Sequence, residues 1–182
     1  METLSRNEDL FPWARQMIRM LARASTVNRQ LGLSKTVVGK LWIEIHGRSS
    51  PSGQTPSDEH WFLKTPERRF DAAFLLLAYH RSLARLPGEK SFAHVYYYYA
   101  RMTAGAWKDA TDADGAFRTK EEDYTIPYSR GDFLVRYYND SKALDGSRLC
   151  PLLLKACKLC DTKFLSHVDE SGNRCPICEK GR

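Results

Sequence analysis

The sequence lacks any apolar run long enough to cross a membrane. Its longest run, Ala72 to Tyr79 (AAFLLLAY), falls well short of the roughly 20 residues that a transmembrane helix needs. The first residues, METLSRNEDLFPWARQ, include early acidic side chains and no unbroken apolar stretch before a cleavage site, so they do not resemble a secretory signal. We therefore expect a cytoplasmic protein without membrane contacts.

Patterns typical of enzymes are missing as well. We find no nucleophile paired with a base, no phosphate-binding loop and no open metal site, so we expect neither catalysis nor a small-molecule substrate. The 182 residues are 42% apolar and 27% charged, which excludes a disordered chain and fits one domain with a small appendage. The formal charge of +6 is compatible with a nucleic-acid partner but does not specify one.

The first part of the chain has the apolar spacing of helices. From Trp13 to His46 apolar residues recur at helical intervals, and two helices are the simplest interpretation. Between them, Gly32 permits a positive φ and Ser34 can cap the second helix. Residues 24–46 are thus a helix-turn-helix candidate within a mainly α fold.

The second helix of this candidate could contact DNA. If Gly32 is the turn, Val38 and Leu41 face inward, and the helix presents basic and hydroxyl side chains outward. Such side chains contact phosphates, and Lys or Arg can read guanine edges. The candidate nucleic-acid-binding residues are Lys35, Thr36, Lys40 and Arg48, although a packed helical hairpin with solvated lysines gives much the same pattern.

The middle of the chain alternates between irregular and helical segments. Residues 47–60 are rich in Gly, Ser and Pro and read as an irregular arm. A helix capped by Thr65 follows, and we expect further helices in SFAHVYYYYARMTAGAW and SRGDFLVRYYNDSKAL, separated by a polar loop at residues 108–125.

Cysteine is scarce, yet four of the five cysteines form two CxxC pairs near the end of the chain: Cys157, Cys160, Cys175 and Cys178. Two such pairs separated by 14 residues are typical of a tetrahedral zinc site with four thiolates. Four thiolates leave no open position for water, so the expected Zn²⁺, one per chain, is structural.

The cysteine pattern is compatible with other interpretations. Soft sulfur ligands also hold iron or an iron-sulfur cluster, and CxxC pairs also occur in thiol-disulfide exchange proteins. His167 lies between the pairs and could replace one cysteine. Cys150 has no CxxC partner, and we expect it to be a small buried apolar side chain.

Taken in order, these features resemble the FlhC family of flagellar transcriptional activators. The resemblance rests on LGLSKTVVGKLWIEIHGRSSPSGQTPSDEHWFL, FDAAFLLLAYHRSL, SRGDFLVRYY and the final CxxC pairs, from about Met17 to Cys178. It implies a mainly helical protein that binds promoter DNA with FlhD, as four FlhD and two FlhC subunits. It also implies recruitment of RNA polymerase and zinc bound by the four paired cysteines.

We therefore expect a helical domain at residues 1–148, which includes the helix-turn-helix candidate and the arm, and a zinc-binding segment at residues 149–182. The first hypothesis for function is a DNA-binding subunit of a transcriptional activator. The alternatives are a zinc-stabilised adaptor that binds proteins through its arm and its tyrosine-rich helix, and an FlhC-like paralogue that regulates non-flagellar genes.

Overall fold

The computed structural model describes residues 9–54, 56–86, 88–103, 120, 124–143 and 150–180. The mainly α class is confirmed, because these residues form seven α-helices, one 3-10 helix and one two-stranded sheet. In chain order the elements are α1 Phe11–Arg19, α2 Ala24–Leu31, α3 Lys35–His46, the 3-10 helix Glu59–Leu63, α4 Pro66–Ser82, α5 Gly88–Thr103, α6 Tyr128–Ala143, β1 Leu152–Ala156, β2 Lys163–His167 and α7 Pro176–Lys180.

The sequence pattern indicated one helix before Gly32, but the structure has two, α1 and α2. The chain breaks at Leu21, which adopts a φ of 66°. Leu21 donates its N–H to the Ile18 carbonyl, and Ala22 donates to the Met17 carbonyl, which is the Schellman pattern of a helix end. Glycine is the usual residue at this position, so the break carries no sequence signal.

The turn between α2 and α3 is built as predicted. Gly32 has a φ of 70° and donates its N–H to the Asn28 carbonyl, while Ser34 Oγ accepts the Val37 N–H. The Asn28 side chain adds a hydrogen bond of 2.5 Å to the Leu33 carbonyl. Hydrogen bonds with residues of both helices therefore fix the three residues between them.

The predicted arm is irregular, as expected, but it packs against the body. Ser50 Oγ accepts the N–H of Ala24 at 2.9 Å and so caps the start of α2 from 26 residues away. Arg23 donates to the Gln54 carbonyl. The arm then ends in the 3-10 helix, whose Phe62 is completely buried.

One hydrophobic core joins buried residues of α1 to α6 and of both strands. The predicted tyrosine-rich helix is α5, and Tyr96 and Tyr99 lie on its buried face. The Tyr96 hydroxyl donates to the Ile126 carbonyl, and the Tyr99 hydroxyl donates to Asp71 and accepts the Ile126 N–H. Burial and the neighbouring Asp71 raise the pKa of Tyr99, so it stays neutral. The predicted loop at residues 108–125 lies almost wholly outside the described residues.

Two strands follow α6, where the sequence pattern predicted none. β1 and β2 pair antiparallel, with Leu152 opposite His167. Leu152 and Leu165 join the main core, so the C-terminal segment packs directly on the helices. The division into domains at residue 148 remains a prediction. None of the helices in the described ranges has the length and apolar character required of a membrane-spanning helix.

Candidate metal centre and two-helix unit

The structure brings the four predicted metal ligands together. The Sγ atoms of Cys157, Cys160, Cys175 and Cys178 all lie within 4.8 Å of one another. The Cys160 and Cys175 sulfurs are 3.8 Å apart. A tetrahedral shell with Zn–S bonds of about 2.3 Å places its sulfurs about 3.8 Å apart, so the donor set fits a four-coordinate metal ion.

Backbone hydrogen bonds shape the two cysteine loops. After β1 the chain turns at Asp161, which has a φ of 55° and donates to the Cys157 carbonyl. Cys157 in turn donates to the Thr162 carbonyl, which closes the first loop. Lys158 donates to the Asn173 carbonyl at 2.7 Å and fixes the first loop to the segment before the second.

Hydrogen bonds also set the charge of the thiols. Backbone N–H groups, first that of Cys175, lower the pKa of Cys157 to about 6. The Thr162 side chain, 3.4 Å from the sulfur, lowers the pKa of Cys160. Hydrogen bonds to the other sulfurs, first Cys175, raise the pKa of Cys178 to about 12. The first loop therefore lowers the pKa of both its thiols, and the thiolate is the form that binds a metal ion.

The other candidates near the centre have different roles. His167, the possible substitute ligand, lies outside the four-sulfur group; its Nδ1 is 3.1 Å from an Asp169 carboxylate oxygen and its ring contacts His60. Cys150 is half-buried and not buried as predicted, and it packs against the main core.

An ion pair without a sequence signal attaches the metal segment to α4. Arg69 contacts both carboxylate oxygens of Glu170, at 2.8 and 2.6 Å. Glu170 also accepts from Ser166 Oγ, and its carbonyl accepts from Lys155. Desolvation opposes ionisation, but the hydrogen bonds that the carboxylate accepts from Arg69, Ser166 and the His167 N–H outweigh it and lower the pKa of Glu170 to about 2. Because 101 residues separate the pair, no local pattern could have revealed it.

The two-helix unit, α2 with α3, has one buried and one exposed face. Val38 and Leu41 are buried, as predicted. The predicted nucleic-acid-binding residues Lys35, Thr36 and Lys40 are exposed on α3, and Arg48 is exposed just beyond its end. The structure therefore places all four on the surface, and their contact with DNA remains a prediction.

Contacts that the sequence analysis did not anticipate hold α3 against α1. Arg15 forms hydrogen bonds of 2.8 and 3.1 Å to the two carboxylate oxygens of Glu44. His46 Nε2 lies 2.8 Å from the Ile18 carbonyl oxygen. These contacts hold α3, and with it the exposed side chains of α3, against α1.

Fold and site together define a mainly helical protein with a four-cysteine centre able to hold a metal ion. The chain belongs to the FlhC family, because the family model for "Flagellar transcriptional activator (FlhC)" matches residues 2–181. This is a family of transcriptional regulators and not of enzymes, and the resemblance seen in the sequence is confirmed.

Two relatives agree with this assignment. The flagellar transcriptional regulator FlhC of Cupriavidus pinatubonensis is 26% identical over 168 residues, which are 90% of this chain and 69% of the relative. That of Cupriavidus metallidurans is 24% identical over 166 residues, which are 91% of this chain and 68% of the relative.

Proposed function

We propose that the chain is the DNA-binding subunit of a flagellar transcriptional activator in the cytoplasm. It acts with FlhD, in a complex of four FlhD and two copies of this chain, and recruits RNA polymerase to flagellar promoters. Family membership across residues 2–181 supports this proposal. The observation that carries it is the exposure of Lys35, Thr36 and Lys40 on α3, a helix whose Val38, Leu41 and Trp42 are buried.

The geometry suggests a role for each exposed residue. Lys35 and Thr36 occupy the first turn of α3, where unpaired backbone N–H groups and the helix dipole favour a phosphate. Lys40 lies more than one turn further along α3, where a side chain can reach a base edge or a second phosphate. Arg48 follows the helix end and extends the basic face to the arm.

Cys157, Cys160, Cys175 and Cys178 hold one Zn²⁺ in this proposal. Bound zinc supplies folding energy and no catalysis, because four thiolates fill its coordination shell. We expect Cys175→Ser to lose both zinc and promoter binding. The matched control is Cys150→Ser, because Cys150 lies outside the four-sulfur group and should keep both. A metal-free variant that binds promoter DNA as well as wild type would contradict the structural role of zinc. If metal analysis of the purified protein finds iron instead of zinc, the bound metal ion is iron.

The first test is a salt titration of DNA binding, with zinc content measured on the same samples. The chain alone and the chain co-expressed with FlhD are each mixed with flagellar promoter DNA and with random DNA of equal length. We expect tight, promoter-selective binding that weakens with salt only when FlhD is present. If zinc is stoichiometric but neither sample prefers the promoter, the flagellar function is wrong.

A charge reversal tests the face of α3 directly. Combined Lys35→Glu, Lys40→Glu and Arg48→Glu substitutions should cause a large loss of binding at fixed salt, because each replaces a phosphate attraction with a repulsion.

The matched control for this reversal changes three exposed basic residues outside the two-helix unit: Lys64→Glu, Arg81→Glu and Arg85→Glu. It removes the same total charge and should weaken binding much less. Equal losses in the two variants would show that net charge, and not the α3 face, drives binding.

A zinc-stabilised adaptor is the second candidate, and exposed apolar side chains favour it. Tyr98 and Met102 of α5 are 46% and 47% exposed. An apolar groove of about 560 Å³ lies beside the cysteines, lined by Phe74 and Ile177 among others. The adaptor predicts intact DNA binding by the complex after reversal of the α3 charges. A paralogue predicts selective binding to a non-flagellar promoter.

A further inference from the structure

A buried carboxylate on α6 gathers two arginines from different helices. The Asp132 side chain is only 3% exposed. One of its oxygens lies 2.6 Å from Arg29 Nη2 and 3.2 Å from Arg136 Nε, and the other accepts from Gln30 at 2.6 Å. The carboxylate is thus satisfied by three donors, two of them from α2.

The cluster carries an excess of positive charge at the surface. Two guanidinium groups share one carboxylate, and within the part of the chain that the structure describes, neither arginine pairs with a second carboxylate. The Arg29 and Arg136 side chains are 44% and 39% exposed. Each guanidinium has five N–H donors, and the contacts to Asp132 engage one nitrogen of each group.

A hydrogen-bond network that reaches the core anchors Asp132, the carboxylate that both arginines contact. Gln30, which binds Asp132 through its amide nitrogen, accepts the Tyr128 hydroxyl at 3.1 Å through its amide oxygen. Tyr128 is completely buried in the core. Because this network anchors Asp132, the two guanidinium groups lose little freedom when they bind an anion, in contrast to a flexible surface lysine.

The position of Arg29 indicates which anion the cluster would bind. Arg29 lies in the last turn of α2, three residues before the turn at Gly32. In helix-turn-helix proteins the second helix enters the major groove, and the first helix crosses the DNA backbone. We propose that Arg29 and Arg136 form a phosphate-binding site for the DNA backbone, in addition to the contacts proposed for α3. This proposal rests on the proposed function.

The test uses the complex with FlhD and compares the salt dependence of binding to promoter and random DNA. The slope of log K against log salt is negative, and each lost phosphate contact reduces its magnitude by about 0.9. Because the complex contains two copies of this chain, we expect Arg29→Gln and Arg136→Gln each to reduce the magnitude of the slope by about 1.8 on both DNAs, since phosphate contacts carry no sequence information. Arg29→Lys keeps the charge and should retain most of the slope.

The matched control is Arg85→Gln, which removes an exposed arginine in the turn after α4 and should leave the slope unchanged. Lower melting temperatures with unchanged slopes for Arg29→Gln and Arg136→Gln would overturn the proposal, since the cluster would then be only a structural ion pair. A loss by Arg29→Lys equal to that of Arg29→Gln would also overturn it. If the wild-type complex binds no DNA, the proposed function itself fails and the phosphate site fails with it.

Discussion

Two helical glycines differ in the space around them, and alanine should therefore affect them in opposite ways. Gly131 lies in α6, where an added Cβ would be 2.9 Å from Phe92 Cζ and 3.5 Å from Leu75 Cδ1. Phe92 is 2% exposed and its ring packs against that of Tyr128, so it has little room to move. Gly39 lies in α3, and a Cβ there would meet nothing within 4 Å.

The magnitudes follow from two terms. Replacing an interior helical glycine with alanine stabilises a helix by about 0.8–1 kcal/mol, and this gain applies at both sites. Overpacking a filled core costs about 1–3 kcal/mol, and this cost applies only at Gly131. We expect Gly39→Ala to raise the free energy of unfolding by up to about 1 kcal/mol and Gly131→Ala to leave it unchanged or lower it by up to about 2 kcal/mol.

Urea denaturation followed by circular dichroism measures both variants in one preparation. At equal m-values, the difference in midpoint multiplied by m gives the overpacking cost, because the propensity terms cancel. If Gly131→Ala is as stable as Gly39→Ala, the core around Phe92 has room for a methyl group and the reasoning is refuted.

Three further predictions test other contacts. Glu170 has a pKa of about 2 in the folded protein against about 4.3 in an unfolded chain, so its stabilisation is complete above about pH 5 and is lost as the pH falls towards 2. Glu170→Gln should therefore flatten the decrease in melting temperature over this range, and a decrease as steep as in wild type would contradict the ion pair. Ser50→Ala removes the cap on Ala24 and should cost about 1 kcal/mol in urea denaturation, whereas a cost near zero would mean that water replaces the hydroxyl. Phe62→Ala empties a fully buried site and should cost about 3–5 kcal/mol, and a cost below 1 kcal/mol would show that the arm is not anchored there.

The features that the sequence predicted correctly depend on near neighbours. Gly32 ends α2 and Ser34 caps the start of α3, each through a hydrogen bond to a residue within four positions. The residue types alone therefore predict these two helix ends. Thr65 caps α4 in the same way. Each CxxC pair also depends on near neighbours, because the spacing of two residues is enough to bring its two sulfurs together.

The features that the sequence did not predict depend on distant partners or on unusual backbone. Leu21 ends α1 in a conformation that glycine normally adopts, and its apolar neighbours continue the helical pattern across the break. Arg29 and Asp132 are 103 residues apart. In the sequence each has the pattern of an ordinary surface charge, and only the fold brings the two into contact. β1 and β2 are too short for a clear alternation of apolar and polar residues.

Adjacent residues of α4 connect the helical body to the metal centre in two ways. Arg69 forms the ion pair with Glu170, and the next residue, Phe70, packs against the apolar cluster that contains Cys157 and Cys175. A metal ion would fix the second cysteine loop relative to the first, and so would hold both contacts in place at once. Since the free energy of metal binding is then shared with the packing of α4, metal loss should loosen that helix as well as the C-terminal segment.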